Sequence, residues 1–359
     1  MRYVTKPLGL ALLVAVVALP SCHTPSAVSG DAGRTADASA RACPDRPSDV
    51  LPFFDEWTIT VGDGTTVDDV VGYRDDDFFF TACDAAGWVV YKAPNAGGTT
   101  PNSSNTRSEL RQVAEWVPEV GGRLEGTLKV MHVSTTGDAR VPAAFSVVVG
   151  QIHSAEGHEN EPIKIFYKKF PGHAKGSVFW NYEINTEGDN SERWDISTAV
   201  WGHDFSVVGS GPNTPPSEPA DGVALGEEFG YTIHVSGGVM HVSFEREGYE
   251  PRTFSKSLVS SAYAPGSETP QQVLSVFAST GQDGAERASA YAGERQYFKQ
   301  GAYNQANGKD PGDNRVWNTG SETYGGRLDE QYARGSYAEV WFRAATVSCG
   351  GSPGAGLGP

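Results

Sequence analysis

The chain has 359 residues, with 44 Asp and Glu against 28 Lys and Arg and a formal net charge of −16. A chain this acidic repels polyanions over most of its surface, which argues against nucleic-acid binding. Aromatics at 11%, 43 Gly and 22 Pro, without a long apolar stretch of helical period, predict an all-β domain with many turns.

The N-terminus reads as an export signal. Arg2 and Lys6 flank the start of an apolar run, Leu8 to Leu19, that is short for a bilayer span. The run ends at Leu19-Pro20-Ser21-Cys22, which resembles a bacterial lipoprotein cleavage box apart from Pro20. Residues 1–22 are therefore read as a signal peptide with Cys22 as a lipidation candidate, the alternative being ordinary cleavage nearby. The expected location is the outer membrane, the cell surface or the medium, with membrane attachment only through that lipid. Residues 23–48 are rich in Ala, Ser, Thr, Gly and Asp and read as a flexible linker. A folded domain is expected over 49–349, followed by a disordered Gly/Pro-rich tail over 350–359.

Apolar, strand-like runs then recur with turn residues between them. Examples are Trp57–Val61, Trp88–Tyr91, Leu124–Val133, Ala144–Gln151, Ile163–Phe170, Val178–Ile184, Tyr231–Val235, Val239–Phe244, Val273–Phe277 and Ala338–Val347. Such spacing indicates a sandwich or barrel. Gly209–Gly226 reads as a long surface loop.

Three segments carry polar residues at every second position: Arg107-Ser-Glu109-Leu-Arg111, Gln151-Ile-His153 and Tyr297-Phe-Lys299-Gln-Gly301-Ala-Tyr303-Asn-Gln305. As strands they would project these side chains onto one sheet face. Arg107 and Arg111 suit a carboxylate, which a guanidinium grips with two hydrogen bonds, and Glu109 would hold both guanidinium groups in place. A plain salt-bridge ladder is the competing reading of that segment. His153 ends an apolar strand and is the side chain best matched to proton transfer near neutrality, a structural histidine being the competing reading. Gly301 within this run can mark close approach of a ligand or another backbone, the competing reading being a Tyr/Lys-decorated outer face with a bulge.

These three blocks, in this order, resemble the signature blocks of alginate lyases of polysaccharide lyase family 7, and Gly97–Thr106 resembles the loop that leads into the first block. The resemblance spans roughly residues 50–347 and implies a jelly-roll β-sandwich with a substrate cleft across its concave sheet. It implies β-elimination on alginate, a polymer of mannuronate and guluronate. Arg107, Gln151, His153 and Tyr303 match the family's catalytic positions, and Glu109, Arg111, Lys299 and Gln305 match positions lining the cleft. In this scheme Arg107 and Gln151 neutralise the uronate carboxylate, His153 removes the C5 proton of guluronate, and Tyr303 protonates the leaving O4. For mannuronate, Tyr303 serves as both base and acid. Ile152 is associated in that family with guluronate-containing blocks. Gln300, where the family often has a small residue, should point away from the cleft. The scheme needs no metal or other cofactor, and the protein is expected to act as a monomer.

Three alternatives stand beside it: a lyase on another polyuronate such as glucuronan, a surface carbohydrate-binding module, and a glycoside hydrolase. The last rests on Glu187-Gly-Asp189-Asn-Ser-Glu192, whose Gly, Asn and Ser read as a turn rather than a catalytic strand. Of the remaining cysteines, Cys43 and Cys349 flank the domain and are the disulfide candidate, with Cys83 a free buried thiol; a Cys43–Cys83 bridge is the alternative.

Overall fold

Side chains alternate across a strand, so a strand with one apolar edge must bury that edge against a second layer. The computed structural model describes residues 44–51, 53–83, 87–101, 103–156, 161–184, 194–205, 215–260, 290–313 and 317–349. Its strands run in the order β1 (Trp57–Thr60), β2 (Thr66–Val67), β3 (Phe79–Thr81), β4 (Val89–Pro94), β5 (Arg107–Gln112), β6 (Gly122–His132), β7 (Ser146–Ser154), β8 (Ile163–Lys168), β9 (Lys175–Ile184), β10 (Trp194–Trp201), β11 (Val223–Ala224), β12 (Glu228–Ser236), β13 (Val239–Glu245), β14 (Arg252–Ser257), β15 (Gln296–Asn304) and β16 (Tyr337–Cys349). One short helix, α1 (Leu328–Ala333), precedes β16.

The strands form two antiparallel sheets. One has the order β10-β9-β8-β7-β15-β5-β1-β2, with β11 pairing to β9. The other has the order β14-β13-β12-β6-β16-β4-β3. Between them lies an apolar core to which the first sheet contributes Trp57, Ile59, Leu110, Val147, Ile152, Trp180 and Phe298, and the second Leu124, Leu128, Tyr231, Phe244 and Phe342. Trp180, Tyr182 and Trp201 are all fully buried in that core. This is the expected jelly-roll sandwich.

Most expected strands lie where their apolar runs are. The expected runs do not include β3, β10 or β14, each an end strand of its sheet; β14 is largely exposed along its length. The expected strand Val273–Phe277 and the segment Glu187–Glu192 lie outside the described residues, as do residues 1–43 and 350–359. Within the expected loop 209–226, Val223–Ala224 instead pairs with β9.

Two glycines shape the first sheet. In β7, Val147, Val149 and Ile152 face the core, whereas Val148 packs on the opposite face. The inward parity therefore shifts by one residue at Gly150, where the pairing to β8 also slips. This bulge turns Gln151 and His153 to the outer face. A side chain at Gly150 would meet the Tyr231 hydroxyl, since a Cβ there would lie 2.4 Å from it. Tyr231 crosses the core from the other sheet and donates its hydroxyl to the Val149 carbonyl at 3.1 Å. Gly301 sits beside a second slip, in the pairing of β15 with β7.

The cysteines differ from the expected pairing. Cys83 is disulfide-bonded and its residue is exposed, not a free buried thiol. Thr81 and Phe342 are level with each other across β4, both pairing with Val89. Cys349 thus lies about 17 Å further along the strands than Cys83 at about 3.4 Å per residue, outside the roughly 7 Å Cα separation a disulfide spans. The Thr81 hydroxyl donates to the Pro44 carbonyl at 2.6 Å, which brings the chain next to Cys43 within two residues of Cys83. This favours the Cys43–Cys83 alternative, although Cys43 itself lies outside the described residues. Non-reducing peptide mapping should recover Cys43 and Cys83 in one linked pair, and Cys83→Ser should lower stability by about 2–4 kcal/mol in urea unfolding.

Candidate active site

The three alternating segments become three neighbouring strands, with β15 between β7 and β5. Their register aligns the polar positions in rows. Lys299 pairs with Arg111 on one side and Gln151 on the other. Tyr297 pairs with His153, Gly301 with Glu109, and Tyr303 with Arg107. All of these outward side chains except Gln151 line a pocket of about 520 Å³ together with Thr60, the loop residues Ser103 and Asn105, and Glu161, Lys164, Gln305 and Trp317.

Glu109 lies at the base of this pocket and is 1% exposed. Its Oε2 is 2.6 Å from Lys299 Nζ and 3.3 Å from Arg107 Nη1. Its Oε1 accepts from the Gln151 amide at 2.6 Å. One carboxylate therefore binds a side chain from each of three strands. Opposite it, Gly301 has φ of +149°, and a Cβ there would come within 2.4 Å of the Ser108 carbonyl oxygen; a glycine permits that approach.

Three rings stand on this floor: Tyr303, His153 and Tyr297. The Arg107 guanidinium lies 4.0 Å from the centre of the Tyr303 ring, and the Tyr303 hydroxyl shares a hydrogen bond with Ser103 Oγ at 3.1 Å. On its other side Tyr303 packs against the apolar group that includes Val148, Phe166 and Phe179. His153 stacks on Tyr297, with ring centres 5.2 Å apart and planes 11° apart. Arg111 covers Tyr297 at 4.0 Å from the ring centre.

The tautomer of His153 follows from its neighbours. Nδ1 lies 2.7 Å from the Ser154 carbonyl oxygen. A carbonyl only accepts, so Nδ1 carries the hydrogen and the neutral ring has its lone pair on Nε2. Burial lowers the pKa of His153, with Lys299 and Arg107 acting in the same direction against Glu161 and the Ser154 carbonyl. The ring is thus neutral and able to accept a proton at neutral pH. Burial, reinforced by Arg107, also pushes the Lys299 ammonium down to about 8 despite the pull of Glu109.

All eight residues expected at the site come together on these strands and at the end of β15. Two expected roles change. Gln151 is fully buried with its amide N–H given to Glu109, so the floor of the site, rather than an incoming carboxylate, takes that donor. Glu109 holds Arg107 and Lys299 rather than two arginines, because Arg111 turns to Glu115 at 2.9 Å. Gln300 points into the core as expected and donates to the Tyr231 hydroxyl at 2.8 Å. Sequence reasoning passed over Ser103, Glu161, Lys164 and Trp317. Lys164 had a signal, since it alternates with Ile163 and Ile165 on β8; the loop residues Glu161 and Trp317 had none.

Replacing Glu109 by Gln should destabilise the protein by about 3–5 kcal/mol, because it leaves the buried Arg107 and Lys299 without their counter-charge. A lower urea midpoint at unchanged slope checks this.

Comparison with known proteins identifies the family. The family described as Alginate lyase (Alginate_lyase2) matches residues 51–349. An alginate lyase of Klebsiella pneumoniae is 34% identical over 264 residues, covering 65% of this chain and 73% of that protein. The crystal structure of the exolytic PL7 alginate lyase AlyA5 from Zobellia galactanivorans is 60% identical, with a TM-score of 0.80, covering 86% of this chain and 100% of that one. The crystal structure of the alginate lyase from Klebsiella pneumoniae is 25% identical, with a TM-score of 0.60, covering 85% and 99%. A jelly-roll sandwich whose three blocks meet around one buried carboxylate, matched over nearly all of its folded length, belongs to the alginate lyases of polysaccharide lyase family 7.

Proposed function

We propose that this alginate lyase works by β-elimination with His153 as base and Tyr303 as acid. The observation that carries the reading is the His153 tautomer, which leaves the Nε2 lone pair in the pocket shared with Arg107 and Tyr303. A uronate carboxylate set against Arg107 and Lys299 loses much of its charge, which makes the adjacent C5–H more acidic. The C5–H bond of guluronate breaks and its proton moves to Nε2. The electron pair forms the C4=C5 bond, the C4–O4 bond breaks, and O4 takes the Tyr303 phenolic proton. The new non-reducing end is a 4-deoxy-hex-4-enuronate. Arg107 stabilises the dianion that develops, while Gln151 keeps Glu109, and through it both cations, in place.

Guluronate-containing blocks are the proposed preference, from Ile152, which is buried in the core beneath this site. Release of product from chain ends is the proposed mode, supported by 60% identity to a lyase described as exolytic. Action outside the cytoplasm is proposed from the signal anatomy of residues 1–22, and the disulfide at Cys83 supports it.

Tyr303→Phe and His153→Ala should each reduce formation of ultraviolet-absorbing unsaturated ends on poly-guluronate by about 10²–10⁴-fold. Near-native rates in either variant would remove that residue from the mechanism. Unsaturated ends should accumulate with little early fall in viscosity; a rapid fall would mean internal cleavage. The KM for alginate should rise as pH passes about 8, because Lys299 attracts the polyanion only while protonated; in Lys299→Met that rise should vanish.

A further inference from the structure

Glu161 is out of place for a pocket that takes a polyanion. It lies just before β8, lines the pocket, and places Oε1 3.7 Å from His153 Nε2. It is held there. Its Oε2 is 3.3 Å from Lys164 Nζ, and Lys164 is 2.7 Å from Glu183 on β9. Lys164 is 3% exposed and Glu183 fully buried. The formal charges of Glu161, Lys164 and Glu183 add to one negative charge, which an imidazolium at His153 would neutralise.

We propose that Glu161 is a positioning residue for the base: its carboxylate receives the Nε2–H of the imidazolium that His153 becomes on taking the C5 proton, and so sets how strong a base His153 is. This rests on the reading of His153 as the base. While the ring is neutral, lone pair and carboxylate do not bond, and Nε2 stays open to substrate. Once Nε2 is protonated, Oε1 accepts a charge-assisted hydrogen bond by closing about 1 Å from its 3.7 Å separation, a small side-chain adjustment. Of the other groups facing the ring, the Ser154 carbonyl favours that charge at Nδ1, Lys299 from β15 and Arg107 from β5 oppose it, and Tyr297 from β15 stacks on the ring. Lys164 acts on the ring through Glu161, which it keeps from swinging into the pocket. The carboxylate therefore offsets the two cations that the substrate requires beside the base.

The test uses Glu161→Gln and the charge-conserving Glu161→Asp, with two readouts. NMR titration of the His153 ring in the free enzyme reads the coupling whether or not His153 is catalytic. The pH profile of kcat/KM on poly-guluronate reads its effect on the reaction. Glu161→Gln should move the ring titration and the acid limb of the profile to lower pH together. Its plateau rate should fall by about threefold to tenfold, as for a base weakened rather than removed. Glu161→Asp should restore most of both. An unmoved ring titration in Glu161→Gln overturns the inference. A moved titration with an unmoved acid limb overturns instead the assignment of His153 as base.

Discussion

The site depends on the buried carboxylate of Glu109. Arg107, Lys299 and Gln151 come from three strands; the first two reach its Oε2 and the third its Oε1. Burying a carboxylate and two cations is costly, and the cost is recovered only when the geometry is good and the remaining donors are satisfied. Any change of register among β7, β15 and β5 would separate these groups. The ion cluster therefore fixes strand order and alignment at the place where the chemistry is proposed, and it holds two cations in an otherwise acidic protein.

The core beneath supports that alignment through backbone shape. Tyr231 reaches across the sandwich to the Val149 carbonyl and receives the Gln300 amide. It occupies the space that a side chain at Gly150 would need. The bulge this allows turns Gln151 and His153 outward, while Val148 lies on the same face in the apolar group behind Tyr303. Packing on one side of the sheet thus decides which residues face the pocket on the other. Gly301 has the matching role on β15, where backbone of β5 comes too close for any Cβ.

Charge in the pocket is arranged in two layers. Arg107, Arg111, Lys164 and Lys299 line it, set against Glu109 and Glu161. Glu109 binds Arg107 and Lys299 from below, and Glu161 stands beside the base. Local concentration of cations is what lets a protein of net charge −16 take an anionic chain into one pocket while its remaining surface repels it. The low-dielectric surroundings that lower the pKa of His153 and Lys299 also strengthen each charge contact within the pocket.

Sequence alone determined a good deal. Apolar runs and turn residues indicated an all-β sandwich, and period-two alternation placed Arg107, Glu109 and Arg111, then Lys299 and Tyr303, on common faces, because alternation is a local property of a strand. It also turned Gln300 away from the cleft. The partners of those faces were beyond it. That Glu109 meets Lys299 and not Arg111, that Gln151 spends its amide on Glu109, and that Cys83 is bridged all depend on which strands lie side by side. The outward turn of His153 depends on a bulge created by Tyr231, a residue eighty positions away in the chain, roughly, and in the opposite sheet. Glu161 and Trp317 reach the pocket from loops, where no period exists to reveal a direction. Local periodicity fixes the face a side chain takes; only tertiary packing fixes what it meets there.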